Sequence, residues 1–424
     1  MTDRAAHEES PAVDELARIH RAEHSRLLAT LVRRFGDLDL AEDAAQEAME
    51  SALRTWPEQG IPERPLAWLT TVAKRVALDR VRRDSTVARR LAVLRVREGS
   101  PTAPPADASV LTTEGLPDDR LAMLMGCCHP AIAPADRIAL MLRFVAALSS
   151  SEVAQALLVP RPTLQARLTR AKKRIAANRI PLTVPADPAE RERRLPLVLT
   201  AISLIFTEGY SATSGDAPMR RELTTEAIRL ARILHGRLPA AAEPQGLLAL
   251  LLLTEARSPA RADARGVPVP LEDQDRTAWD APSLAEGLAL VREAATRPDA
   301  GRFTIQAAIA AVHSEAVRFE DTDWPQIVML YDLLLAHGED PVVRMNRSIA
   351  VGRAETPAAG LALLEALRGE AELERHHPFH VALALTREEA GLRADAQAAW
   401  KRALELADNA AERRFIEDRL AAGG

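Results

Sequence analysis

Cysteine is nearly absent: the 424 residues contain two, and these are adjacent, Cys127 and Cys128. Neighbouring cysteines cannot staple distant segments, so no disulfide framework is expected and a reducing cytoplasm fits. They also lack the spacing of a zinc site, which leaves Cys127, Cys128 and His129 better explained as small core-facing side chains near a helix end than as ligands. Aromatic residues make up 3% of the chain. Val and Ile never fall in alternating runs, which argues against strands. The longest apolar run, Leu247 to Leu253, is far too short to span a bilayer. The polar start, MTDRAAHEES, has no secretory apolar segment. A P-loop, a Gly-rich dinucleotide fingerprint and a nucleophile motif are all missing, so the common enzyme classes find no support.

What remains is a helical composition rich in Ala, Leu and Arg, and the expected fold class is all-α. The length calls for two or three domains. Residues 11–85 read as a first helical block and 86–115, with Gly99, Ser100, Pro101, Pro104 and Pro105, as a linker. Residues 116–178 form a second block, and prolines 181, 185 and 188 break the chain before a helical stretch over 189–421. Glu208-Gly209-Tyr210 reads there as a helix end with Gly in the cap. That last stretch carries a degenerate repeat. Ala396, Trp400 and Ala403 have spacings of four and seven, with Gly391 in the preceding turn; Ala359, Leu363 and Ala366 share the spacing, as do Ala227, Ala231 and Leu234. Small and large positions in that order resemble tetratricopeptide-like helical hairpins; an irregular helical bundle is the alternative.

The net charge of −5 argues weakly against nucleic acid, but the charges are segregated. From Val159 the sequence reads VPRPTLQARLTRAKKRI, and no acidic residue occurs between Glu152 and Asp187. Leu164, Leu168, Ala171 and Ile175 recur at the helical period and predict one buried stripe, with Arg167, Arg170, Lys172, Lys173 and Arg174 largely off it. Ser149 to Glu152 can form a capping box opening a short helix over 150–158. Two short helices joined at Val159-Pro160, the second basic, predict a helix-turn-helix whose second helix enters the major groove. A second basic helix begins at Pro65, with Leu66, Leu69, Val72, Ala73 and Val76 inward and Lys74, Arg75, Arg80, Arg82 and Arg83 in its C-terminal half. Between Asp39 and Trp56 lies an acidic helix: Asp39 and Glu42 can cap it, the alanines and Trp56 can pack, and Glu42, Asp43, Gln46, Glu47 and Glu50 point outward.

Three segments, AEDAAQEAMESALRTW, PLAWLTTVAKRVALDRVRR and SSSEVAQALLVPRPTLQARLTRAKKRI, resemble a bacterial sigma-70-type factor of the extracytoplasmic-function group, in that group's order and spacing. The resemblance implies core RNA polymerase and promoter DNA as partners. It implies that Glu42, Asp43, Gln46 and Glu47 face the β′ clamp coiled coil, with the β flap a further polymerase contact. The 65–83 helix and the loop 57–64 would read and open the minus-ten element, through Lys74, Arg75, Arg80, Arg82 and Arg83. The helix from Pro162 would read the minus-thirty-five element. LMGCCHPAI, SLIFTEGY, LEDQDRTAWD, EDTDWPQIVMLYD and NAAERRFIEDRL are similar to stretches of a branch with a long helical extension, which the resemblance makes a regulatory domain standing in for a separate anti-sigma partner. Arg161-Pro162 departs from the small or acidic pair often found there, which bears on the promoter sequence.

Physical chemistry sorts the basic helix further. Thr163 and Gln165 suit base edges, whereas Arg167, Arg170, Lys173 and Arg174 suit phosphates, which fix register; Arg161 belongs to the same surface. A second reading is a helix-turn-helix regulator with a ligand-binding helical domain and no polymerase contact. A third places a metal or acid–base site at Glu272, Asp273, Asp275 and Asp280, although turn chemistry and capping explain those carboxylates as well. No cofactor is expected, and a protein partner of the extension is open.

Overall fold

The computed structural model describes residues 11–96 and 118–422. Residues 97–115 of the expected linker thus lie outside the described residues. Two compact units divide the chain: residues 1–149 with 165–198, and residues 150–164 with 199–424.

The first unit is built on α1 (Pro11–Phe35), α2 (Leu38–Gln59), α3 (Pro65–Val96), α4 (Asp119–Cys127) and α5 (Pro134–Leu140), which continues into one π-helical turn, Met141–Val145. Asp37 opens α2, its carboxylate accepting from the Leu40 amide at 3.0 Å. The expected caps, Asp39 and Glu42, are thereby left to other partners. Ala41, Ala44, Ala45, Ala48 and Ala52 are all buried, and their small side chains let α1 and α3 approach α2 closely. Trp56 closes this core edge-to-face against Trp68, with centroids 5.6 Å apart. Pro57 sits inside the last turn of α2, and the loop expected from 57 begins only at Gly60. Pro65 opens α3 as its fixed φ favours; Leu69, Ala73 and Ala77 are buried, while Leu66, Val72 and Val76 are half-buried. The helix runs on to Val96, into the stretch read as linker.

The short helix α6 (Ser150–Ala156) precedes α7 (Arg161–Asn178), and the turn between them holds Leu158 in the left-handed region at φ 51°. The stripe Leu164, Leu168, Ala171 and Ile175 is buried as its period requires. By contacts, α6 and the first turn of α7 belong with the extension and the rest of α7 with the first unit.

After α8 (Pro188–Tyr210) the extension is a succession of α9 (Arg221–Arg237), α10 (Ala242–Glu255), α11 (Ala281–Ala295), α12 (Arg302–Glu315), α13 (Trp324–Ala336), α14 (Pro341–Ala354), α15 (Pro357–Ala366), α16 (His377–Glu389), α17 (Arg393–Leu406) and α18 (Ala410–Ala422). Gly209, read as a cap, lies inside α8. A Cβ there would stand 2.7 Å from the Thr224 backbone nitrogen, so the glycine permits α9 to approach. The apolar run on α10 is buried almost all round, between α9, α11 and α12. Glu243 on α10 caps α12 from outside, accepting from the amides of Gly301 at 3.0 Å, Phe303 at 3.0 Å and Thr304 at 3.1 Å.

Most helices from α9 onward pack on their sequence neighbours across short turns. Ala396, Trp400 and Ala403 are buried on α17, and Ala227, Ala231 and Leu234 on α9. The middle copy is out by one residue: Leu363 and Ala366 face solvent, and Gly360, Leu364 and Leu367 carry the same four-and-seven spacing inward. In an Ala- and Leu-rich helix several registers satisfy the spacing, and packing selects one.

Two residues, Ser214 and Gly215, pair in parallel with Asp408 and Asn409. Buried Asn409 completes the junction. Its amide donates to Ala217 O at 2.8 Å, and its carbonyl accepts from the Ala411 amide at 2.9 Å, capping α18. The start and end of the extension are thus joined.

Candidate nucleic-acid and polymerase interface

Helix α2 turns one carboxylate row outward, because its alanines occupy the buried face. Arg80 of α3 donates to both Asp43 and Glu47. Exposed Gln46 donates to Glu50 at 3.2 Å. Glu42 lies one turn nearer the N-terminus and is engaged differently. Lys172 of α7 reaches its carboxylate at 2.8 Å and that of Asp39 at 2.7 Å, while Arg143 reaches Glu42 at 3.3 Å. Burial opposes the charge on Lys172, but the hydrogen bonds to Asp39 and Glu42 outweigh it and hold its pKa above the usual lysine value. The Lys172 ammonium also stands 5.0 Å from the Phe144 ring centre.

These contacts sort the basic residues. On α3, Arg80 is committed to the α2 carboxylates, Lys74 is half-buried, and Arg75, Arg82 and Arg83 are exposed. Arg83 donates to Asp79 O at 3.3 Å, and Arg82 lies 3.8 Å from the Asp79 carboxylate. On α7, Thr163, Gln165 and Lys173 are exposed. Arg161 donates to Ser151. Arg170 donates to buried Asp136 at 3.1 Å and Arg174 to Ala131 O at 3.1 Å, so both help to hold α7 in place. Arg167 has no such partner among the described residues. Lys172 is the functional candidate that the sequence did not single out; it was one of five similar cations, and only the fold sets it against α2.

The segment preceding α7 carries a link of its own within the second unit. Buried Glu152 of α6 accepts from Ser214 at 3.1 Å and from Arg220 at 3.1 Å, and Arg375 donates to Leu158 O at 3.0 Å. Glu208 lies beside this group and accepts from Thr213 at 2.7 Å. Burial pushes the Glu208 pKa up to about 7, aided by nearby Glu152 and opposed by the Thr213 hydrogen bonds and Arg220.

Residues 19–87 match Sigma-70 region 2 and residues 122–175 match Sigma-70, region 4. The chain belongs to the sigma-70 family. It is a factor of the extracytoplasmic-function type with a C-terminal extension, and it directs promoter-specific transcription by binding core RNA polymerase and promoter DNA. Residues 194–295 of the sigma factor match a family of unknown function (DUF6596). An uncharacterised protein of Rhizobium meliloti (strain 1021) is 42% identical over 393 residues, 93% of this chain and 92% of that protein. No solved structure matches. The sigma domains point to a non-enzymatic transcription factor.

The other candidates disperse. Glu272 pairs with Arg353 at 2.9 Å, Asp275 accepts from the Thr277 amide at 2.9 Å, and Asp280 caps α11 through the Ser283 amide at 3.2 Å. They are capping and pairing groups, as turn chemistry allowed. Cys127 and Cys128 are buried; desolvation raises both thiols, Cys128 to about 12, and suppresses the reactive thiolate. No described helix is long and apolar enough to cross a membrane.

Proposed function

We propose that this sigma factor presents Glu42, Asp43, Gln46 and Glu47 to the coiled coil of the polymerase β′ clamp, with the β flap as a further contact. Lys74, Arg75, Arg82 and Arg83 serve the minus-ten element, and Arg80 joins them only on leaving Asp43 and Glu47. Arg161, Thr163, Gln165, Arg167, Arg170, Lys173 and Arg174 serve the minus-thirty-five element. Domain limits of 11–85, 116–178 and 189–421 go with this reading, the last a tetratricopeptide-like regulatory extension. The observation that carries it is the single outward carboxylate row of α2, held by basic side chains of α3, α7 and the π-helical turn. A carboxylate surface already complementary to basic helices suits a basic polymerase element. Lys172 and the clamp then compete for Glu42.

Equilibrium binding to core polymerase tests the assignment. The pair Asp43→Lys and Gln46→Ala should weaken binding by tenfold or more, whereas Lys172→Met, which leaves Glu42 with Arg143 alone, should tighten it severalfold at low salt. Unchanged affinity in the double variant would take the clamp contact off α2, and no measurable binding by the unaltered protein would favour the helix-turn-helix regulator. For the extension, support comes from Glu152 and Leu158, through which Ser214, Arg220 and Arg375 grip the segment preceding α7. It acts on the recognition segment directly, in place of a separate regulatory protein.

A further inference from the structure

Three stretches singled out in the sequence, SLIFTEGY, LEDQDRTAWD and EDTDWPQIVMLYD, converge in the extension around a group of basic side chains. The Asp280 amide donates to Ala256 O at 2.8 Å, which brings the segment carrying Trp279 beside Arg257. Arg276 donates through one terminal nitrogen to His313 O at 2.7 Å and Ala316 O at 2.8 Å, and its guanidinium stands 4.7 Å from the Trp279 ring centre. Arg257 lies 6.0 Å from the Tyr210 ring centre, and His313 meets Trp324 edge-on at 5.2 Å.

The unusual feature is the set of donors left over. Arg257 Nε, the second terminal nitrogen of Arg276, Trp279 Nε1, Tyr210 Oη and His313 Nδ1, the last a donor in one of the two neutral tautomers, are all buried without a hydrogen-bond partner among the described residues. Trp279 itself is 6% exposed. A buried donor without an acceptor is destabilising, and more so when it is charged. Two adjacent guanidiniums add repulsion. Burial and the neighbouring Arg257 lower the Arg276 pKa, while burial, Arg257 and Arg276 push His313 down to about 4. The carboxylates within reach of this field, Glu320 and Asp321, do not hydrogen-bond to either arginine, and Asp321 is paired with Arg318 at 3.0 Å. Neutral partners could satisfy the donors but could not offset the charge. Guanidinium forks walled by aromatic rings match a planar or tetrahedral oxyanion.

We infer that Arg257, Arg276, Trp279, His313 and Tyr210 form a site for a small oxyanion, a phosphate or carboxylate group on a diffusible ligand. The site lies wholly within the extension and makes it a ligand-sensing module. This inference is independent of how α2 meets polymerase.

Thermal unfolding of the full chain tests it, with phosphate or acetate titrated at constant ionic strength maintained by sodium chloride. The melting temperature should rise saturably with at least one of the two, and which one responds separates the phosphate source from the carboxylate source. Arg257→Gln should weaken the response at least tenfold without lowering the melting temperature in its absence, because the Arg257 side chain makes no hydrogen bond to the described residues. Trp279→Phe keeps the ring that Arg276 stacks on and removes only the indole donor; it should weaken the response severalfold and decides the matter if Arg257→Gln fails to fold. Arg167→Ala, on the DNA-facing helix, should leave the response intact. A linear or absent response to both anions overturns the site, as does a response unchanged in Arg257→Gln and Trp279→Phe.

Discussion

Arg167 on α7 and Arg257 beyond α10 both lack a protein acceptor among the described residues, yet their settings differ. Around Arg167 the neighbouring Thr163, Gln165 and Lys173 are exposed and spread along a helix. Around Arg257 the donors are buried and gathered from four segments. An extended, solvated row of cations suits a polyanion, where each contact is weak and screened and releases counterions. A desolvated cluster suits one compact anion, where a few contacts are strong. The same residue type is thus suited to promoter DNA in one place and, on the inference above, to a small ligand in the other, and burial makes the distinction.

The comparison can be broken from the buried side first. Arg220→Gln removes the cation opposite buried Glu152 and should cost ~3 kcal/mol of stability. If the extension grips α6 as proposed, run-off transcription from a cognate promoter should also change at temperatures where the variant is folded. Unaltered transcription would remove Arg220 from the regulatory link.

Glu208 gives a pH test of the same region. Its folded pKa, about 7, lies above the value of 4.5 expected in the unfolded chain. The favourable contribution is therefore complete below pH 4.5 and is lost as pH rises through 7. Glu208→Gln should remove that decline, a relative gain on the order of 3 kcal/mol at high pH from a shift of this size. Parallel melting curves for the two proteins across pH 4–8 would place the raised pKa elsewhere.

On the exposed side the effects are smaller. Arg167→Ala should lower the slope of log affinity against log salt by ~0.9, the signature of one neutralised phosphate. Arg170→Ala should change the slope less and destabilise the fold, since it abandons buried Asp136. An unchanged slope in Arg167→Ala would take that residue off the phosphate surface.

Much of this was legible in the sequence. The stripe of α7 and the alanine face of α2 follow from a helical period that burial must respect, and the sigma motifs lie on local segments. The α2 cap is not legible in the sequence because Asp37 and Asp39 offer the same carboxylate two residues apart, and the turn at Gly36 decides between them. The middle repeat slipped by one residue for a similar reason: in ALALLEA, apolar side chains occur in more than one register. Lys172 could not be told from its neighbours by charge alone.

The amino-acid sequence by itself determined the helices, the family and the segregation of acidic from basic faces, because these depend on periodicity and composition along a single segment. Only the tertiary structure decided that Lys172 meets Asp39 and Glu42, that Ser214 pairs with Asp408, and that Arg257, Arg276 and His313 share a desolvated site. Such contacts join residues far apart in the chain. Their strength depends on distance and on the exclusion of water, neither of which a local pattern encodes.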